Sequence, residues 1–181
     1  MEALSGALVR IFAGALELGP DFFVPFFDKH TSVMRVINYP DQAGMRPEPG
    51  QTRSGAHTDY GALTILLAEN ALGGLQVKLR NGDWIDVRPK PNSFIINIGD
   101  LMAMWTNDRW VSNLHRVVNP PLDVGSNTRR LSIAYFVHAN YDAMIECIPT
   151  CASEQNGAKY PAVLAGEHRL GKVKMSQQAV T

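Results

Sequence analysis

The chain has 181 residues, 45% of them hydrophobic, which suits one packed domain rather than two. Lys plus Arg and Asp plus Glu are both 17, so the formal net charge is zero, and neither nucleic acid nor an anionic membrane has an electrostatic handle. No apolar run approaches the ~20 residues that span a bilayer, the start lacks a signal peptide's basic cluster, and two cysteines are too few for a disulfide framework or a zinc-thiolate site.

Residues 2–18 carry the apolar spacing of an amphipathic helix, which Gly19-Pro20 must stop. A short helical turn over 21–29 completes an N-terminal helical segment, 1–30, expected to pack on the core. From 31 to 181 the pattern is that of one further domain. It opens with short β-rich pieces, predicted at 32–39, 55–59, 63–67, 75–79, 83–87, 93–98, 115–118 and 130–138. Asn81-Gly82 between two of them is a two-residue hairpin signal. A helix around 163–172 is expected near the end. The loops 46–52 and 122–128, rich in Pro, Gly and polar residues, are the expected mobile stretches. Many short strands at close spacing point to a mainly β fold, a double-stranded β-helix (jelly roll) with flanking helices.

The chemistry concentrates at Gly55-Ala-His57-Thr-Asp59-Tyr60-Gly61. Strand alternation would send His57 and Asp59 to the same side. His115, at the head of another predicted strand, can supply a third ligand. Two histidines and one carboxylate on one face of a metal leave the other face open, the arrangement that suits Fe(II) and O₂. Zinc catalytic sites also use three protein ligands, and zinc or manganese stays open on this count alone. A lone His-x-Asp is common by chance, and a lone His115 is more often a satisfied core histidine.

The stretch from Arg130 to Phe136 adds weight. Alternation puts Arg130, Ser132, Ala134 and Phe136 on one face, and Leu131, Ile133, Tyr135 and Val137 on the other. The second face is apolar and should be packed, so the first lines a cavity. An arginine there needs an anion, nothing acidic lies near it in sequence, and a guanidinium pairs bidentately with a carboxylate. Fe(II), one Asp carboxylate, dianionic 2-oxoglutarate and Arg130 would sum to zero charge.

Together these pieces resemble the isopenicillin-N-synthase-like branch of the Fe(II)/2-oxoglutarate-dependent dioxygenases. The residues that carry the resemblance are His57-Thr-Asp59, His115-Arg-Val-Val-Asn-Pro and Arg130-Leu-Ser132, with Asn38-Tyr39-Pro40, Gly74-Leu-Gln-Val77 and Asn97-Ile-Gly-Asp100 before or between them. The resemblance implies that His57, Asp59 and His115 bind iron. It implies that Arg130, Ser132 and Tyr39 hold 2-oxoglutarate. It implies an enzyme that uses O₂ and 2-oxoglutarate to hydroxylate, desaturate or cyclise a small organic molecule, releasing succinate and CO₂. No residue is expected to act as an acid or base of its own. The family's usual N-terminal region is absent from this sequence. Two rivals stand beside this reading: an oxidase of the isopenicillin-N-synthase type that does not use 2-oxoglutarate, and a non-catalytic truncated binding domain.

Tyr60, Phe136 and His138 are weaker candidates for substrate contact. His30 and His168 read as surface residues, and Met102, Met104 and Trp105 as core. Arg129 reads as solvated, and Cys147 and Cys151 as free thiols in a reducing cytoplasm.

Overall fold

The structure, a computed structural model, describes residues 1–71, 73–122 and 127–178. Helix α1 (Glu2–Ala15) is followed by the short α2 (Val24–Phe27). α1 stops three residues earlier than its apolar pattern. Leu18 returns its N–H to the Ala13 carbonyl, and Glu17 takes a left-handed φ of 59°, so the chain turns before Pro20 is reached.

The eight predicted strands all form: β1 (Val33–Tyr39), β2 (Ser54–His57), β3 (Leu63–Ala68), β4 (Leu75–Lys78), β5 (Trp84–Asp86), β6 (Ile95–Ile98), β7 (His115–Val117) and β8 (Arg130–Val137). They build two four-stranded sheets, ordered β1-β8-β3-β6 and β2-β7-β4-β5, with antiparallel pairs throughout. This is the expected jelly roll. Its remaining elements are α3 (Asp100–Trp105), a small pair of β9 (Met144–Ile145) and β10 (Val163–Leu164), and α4 (Ala165–Gln178). β9 and β10 are too short to show an alternation, and α4 runs well past the predicted 163–172. No helix among the described residues is long and apolar enough to cross a membrane.

The hairpin between β4 and β5 differs by one residue from its prediction. Leu79 accepts from the Gly82 N–H, so Arg80 and Asn81 are the central turn residues, and Gly82 follows them at φ 95°. This is the longer loop with glycine in the left-handed position, not the two-residue turn. Of the predicted loop 122–128, residues 123–126 lie outside the described residues.

Two cores result. Leu63, Ile65, Tyr135 and Val137, on the outer face of the larger sheet, pack against Val9, Ala13, Leu16 and Phe23 of the N-terminal segment and against Leu101, Met102 and Trp105 of α3. Between the sheets, Leu66 and Ala134 of the larger one meet Leu75 of the smaller, with Phe136 and Ile95 beside them. Alternation along β8 therefore sorts its two faces as expected. The outer face is covered over only part of its width: Met34 (51% exposed), Val36 (60%) and Leu67 (45%) stay open to solvent.

Candidate functional site

The two histidines come together through register. β2 pairs antiparallel with β7, His57 lies directly opposite His115, and their ring centres are 4.3 Å apart. His115 follows the parity of Val117, whose partner Leu75 packs between the sheets, so its imidazole faces the interior, while His57, opposite it, stays more open to solvent. Each ring is fixed by the carbonyl two residues earlier. His57 Nδ1 lies 2.8 Å from the Gly55 oxygen, and His115 Nδ1 lies 3.0 Å from the Asn113 oxygen. A carbonyl only accepts, so Nδ1 carries the proton and Nε2 is left as the free base, the form a metal binds.

Asp59 arrives differently from the sequence expectation. β2 ends at His57, so strand alternation does not place the carboxylate. Asp59 is held by its backbone instead. Its carbonyl accepts from the Asp100 N–H at 2.7 Å, at the start of α3. A Cβ on Gly99 would collide with the Gly61 carbonyl, so only glycine allows these two segments to approach so closely. Thr58 Oγ1 donates to Asp100 Oδ2 at 3.0 Å, and Lys172 of α4 pairs with the same oxygen at 2.8 Å.

The outcome is convergence. One ligand atom from each of His57, Asp59 and His115 lies within 4.8 Å of the others, and His115 Nε2 is 3.7 Å from Asp59 Oδ1. Asp59 is 5% exposed, yet its Oδ2 has no hydrogen-bond partner among the described residues. A buried carboxylate oxygen without a partner is costly, and a cation between the three residues would satisfy it. The donor set fits Fe(II).

A second polar group lies at the far end of β8. Arg130 is 2% exposed and sits opposite Tyr39 of β1, its guanidinium carbon 5.5 Å from the Tyr39 ring centre. Arg53 approaches the same ring at 5.8 Å and donates to Gln42, Pro40 and Thr128. Burial pulls the Arg130 guanidinium below its ordinary pKa and pushes the Tyr39 hydroxyl above its own. The sequence shows no acid near Arg130, but the fold brings Glu69 to the edge of β8, where its Oε2 accepts from the Leu131 N–H at 2.6 Å. That carboxylate is taken up by backbone, and Arg130 Nη1 remains buried without a partner among the described residues. A cavity of about 540 Å³ opens beside Arg130, between Leu75 and Gln76 of β4, Val118 just past β7 and Glu69 just past β3. Ser132, 6% exposed, shares the inner face one pleat along.

Residues 31–139 match the family model described as the 2OG-Fe(II) oxygenase superfamily. The chain belongs to this superfamily. It is 34% identical, over 96% of its length, to the 2-oxoglutarate-Fe(II) type oxidoreductase hxnY of Emericella nidulans, of which it covers 48%. It is 40% identical over 96% of its length to a homoarginine-6-hydroxylase of Oryza sativa subsp. japonica, covering 52% of that protein. Among solved structures it resembles a full-length Neurospora crassa protein in complex with alpha-KG, with a TM-score of 0.88 and 37% identity over 95% of this chain and 53% of that one. JOX2 in complex with 2OG, Fe and JA gives a TM-score of 0.79 at 32% identity, over 93% of this chain and 48% of that one. The chain thus spans about half the length of the curated relatives it matches.

Within this 2OG-Fe(II) oxygenase fold the weaker candidates separate. Tyr60 is half-buried beside Asp59, and Phe136 lies on the inner face. His138 lies one residue past the end of β8, against Gly61 and within electrostatic reach of His168 and Arg169 of α4. Burial and those neighbours lower its pKa to about 4. His168, expected at the surface, is half-buried, and its Nε2 is enclosed without a partner among the described residues. Trp105, Met102 and the free cysteines lie as expected. Sequence reasoning missed Thr58 and Lys172 as supports of the segment that carries the candidate ligands. Asp100 belonged to a motif already quoted, with no role attached.

Proposed function

We propose that this chain is the catalytic region of an Fe(II)- and 2-oxoglutarate-dependent oxygenase that oxidises a small organic substrate. The observation that carries the reading is the pair of partnerless buried groups, Asp59 Oδ2 within the His57–Asp59–His115 cluster and Arg130 Nη1 on the same inner surface. His57, Asp59 and His115 would hold the metal on one face, leaving the other for 2-oxoglutarate and O₂. When bound, the iron and 2-oxoglutarate supply the oxidising power, with succinate and CO₂ as by-products.

The remaining work belongs to the chain. The Gly55 and Asn113 carbonyls fix both imidazoles with Nε2 inward. The Asp100 amide fixes Asp59. Arg130 meets the distal carboxylate of 2-oxoglutarate with its planar fork, Tyr39 and Ser132 offer hydroxyls beside it, and Arg53 keeps Tyr39 in place. Residues between the sheets, Leu66, Leu75 and Ala134, exclude water from the space between the two ends. Tyr60, Phe136 and His138 are the proposed substrate-side positions. Two free cysteines fit a reducing, cytoplasmic setting.

The test is oxygen consumption by the Fe(II)-loaded protein with and without 2-oxoglutarate, with succinate quantified. Succinate formed in step with oxygen supports the reading. Oxygen uptake that is indifferent to 2-oxoglutarate would favour an oxidase, and a site that takes zinc and shows no oxygen chemistry would overturn it.

A further inference from the structure

The site described above uses Arg130 and Arg53 but leaves a second basic region without a role. A cavity of about 530 Å³ is lined, among others, by Lys78 and Arg80 at the end of β4 and in its turn, Arg109 and Trp110 in the loop before β7, Ile98 of β6 and Phe12 of α1. No Asp or Glu is among the residues that line it. The chain as a whole is neutral, with 17 basic and 17 acidic side chains, so three cations around one cavity are a local concentration of charge. Arg80 and Arg109 are exposed and have neither an ion pair nor a side-chain hydrogen bond among the described residues. The Lys78 ammonium lies 6.0 Å from the centre of the Trp84 ring. The acids nearest in sequence are taken: Asp108 by Lys159 and Tyr160, and Asp83 by Asn81.

Two turns set these cations in place. Leu79 donates to the Asp83 carbonyl and accepts from the Gly82 N–H, which closes the hairpin on Arg80. On the other side the N–H groups of Arg109 and Trp110 bond the carbonyl and the hydroxyl of buried Thr106. The cavity lies outside the barrel. Lys78 alternates with Val77, which lies opposite His115 in the β4–β7 pair, so Lys78 points away from the interior. Ile98 pairs with Leu63, whose side chain packs on the outer face against α1 and α3. Phe12 and Trp110 meet edge to face, with ring centres 5.0 Å apart, and give the wall a flat apolar part.

We propose that this cavity is a second binding site, separate from the iron and 2-oxoglutarate site, and that it takes a small aromatic phosphomonoester. It stands independently of the oxygenase reading. Its volume, about 530 Å³, is that of a small-molecule site. A phosphomonoester carries close to two negative charges at neutral pH and three acceptor oxygens. The planar forks of Arg80 and Arg109 bond such oxygens in pairs, and Lys78 adds a point charge. The ring of the same molecule then lies against Phe12, Trp110 and Ile98. A carboxylate has too few oxygens and too little charge for three cations, and inorganic phosphate leaves the apolar wall against water.

The experiment is calorimetric titration of the full, metal-free chain with four probes: 1-naphthyl phosphate, 1-naphthoate, 1-naphthol and inorganic phosphate. The wild type binds 1-naphthyl phosphate more tightly than each of the other three, by about tenfold. Arg80→Gln and Arg109→Gln, both at exposed positions and folded by circular dichroism, each weaken it by about fivefold and narrow its lead over 1-naphthol. Arg109→Lys recovers part of the loss. Arg130→Ala, at the 2-oxoglutarate end, leaves the 1-naphthyl phosphate affinity as in the wild type. The proposal is overturned if 1-naphthyl phosphate does not bind, if any of the other probes binds as tightly, or if the Arg80 and Arg109 variants bind it like the wild type. Loss of binding in Arg130→Ala also overturns it, because the probe would then occupy the 2-oxoglutarate end. None of these results touches the oxygenase reading, which oxygen consumption and succinate decide.

Discussion

Thr58, between two of the proposed metal ligands, donates its hydroxyl to the Asp100 carboxylate at 3.0 Å, and Lys172 holds that carboxylate from the other side at 2.8 Å. The segment that carries His57 and Asp59 is thereby tied to the start of α3 and to α4. Replacing Asp100 with Ala removes both side-chain ties and leaves the amide that holds the Asp59 carbonyl. Hydrogen bonds to charged groups contribute about 1.5–3 kcal/mol. We expect thermal stability of the metal-free protein to fall within that range, and Co(II) affinity, measured by calorimetry, to fall with it. Asp100→Ala with unchanged Co(II) affinity would remove any role for this tie in shaping the site.

Arg130 and Asp59 should separate in their effects. Arg130→Ala is expected to weaken 2-oxoglutarate binding by roughly 2–5 kcal/mol, the cost of removing one partner of a buried charge pair, while metal content stays near wild type. Arg130→Lys keeps the charge but not the planar fork, and should fall between. Asp59→Ala should do the opposite, abolishing metal binding with the fold retained by circular dichroism. Anaerobic 2-oxoglutarate titration and metal analysis of the purified variants decide both. Equal 2-oxoglutarate affinities in wild type and Arg130→Ala would reassign the arginine.

His138 makes stability depend on pH. Its folded pKa is about 4, against 6.5 for an ordinary histidine, because burial and the nearby Arg169 and His168 disfavour the cation. The unfolded chain therefore binds the proton more readily. The stabilisation is fully present above 6.5 and is lost as pH falls from 6.5 to 4, up to about 3 kcal/mol in all. Urea midpoints measured across that window should drop more steeply for wild type than for His138→Gln. Parallel pH dependences in the two proteins would contradict the buried neutral imidazole.

Met34, Val36 and Leu67 leave an apolar stretch of the larger sheet bare. A contiguous patch of this kind drives association. This chain alone should self-associate in a concentration-dependent way by light scattering. The double variant Val36→Lys, Leu67→Lys should disperse it without changing Co(II) affinity. A wild type that stays monomeric at high concentration would show that the patch is too small to matter.

Strand periods, the face that Arg130, Ser132 and Phe136 share, and the residue types of the metal cluster were all legible before any folding was considered. These are local properties: alternation is fixed by the pleat, and ligand chemistry by the side chain. How the ligands meet is not local. His57 and His115 face each other only because β2 and β7 pair in one register. Asp59 points inward because the amide of Asp100, distant in sequence, holds its backbone, not because of the strand parity that suggested it. Parity along the predicted strand 130–138 would put His138 on the Arg130 face, but β8 ends one residue before it, and its neighbours there include α4. His168 reads as a surface residue until α4 packs against the segment after Asp59, and Glu69 is nowhere near Arg130 until β3 pairs with β8. Each depends on contacts between distant segments, which form only when two apolar sheet faces close over one interior and the enclosed polar groups must find partners across it.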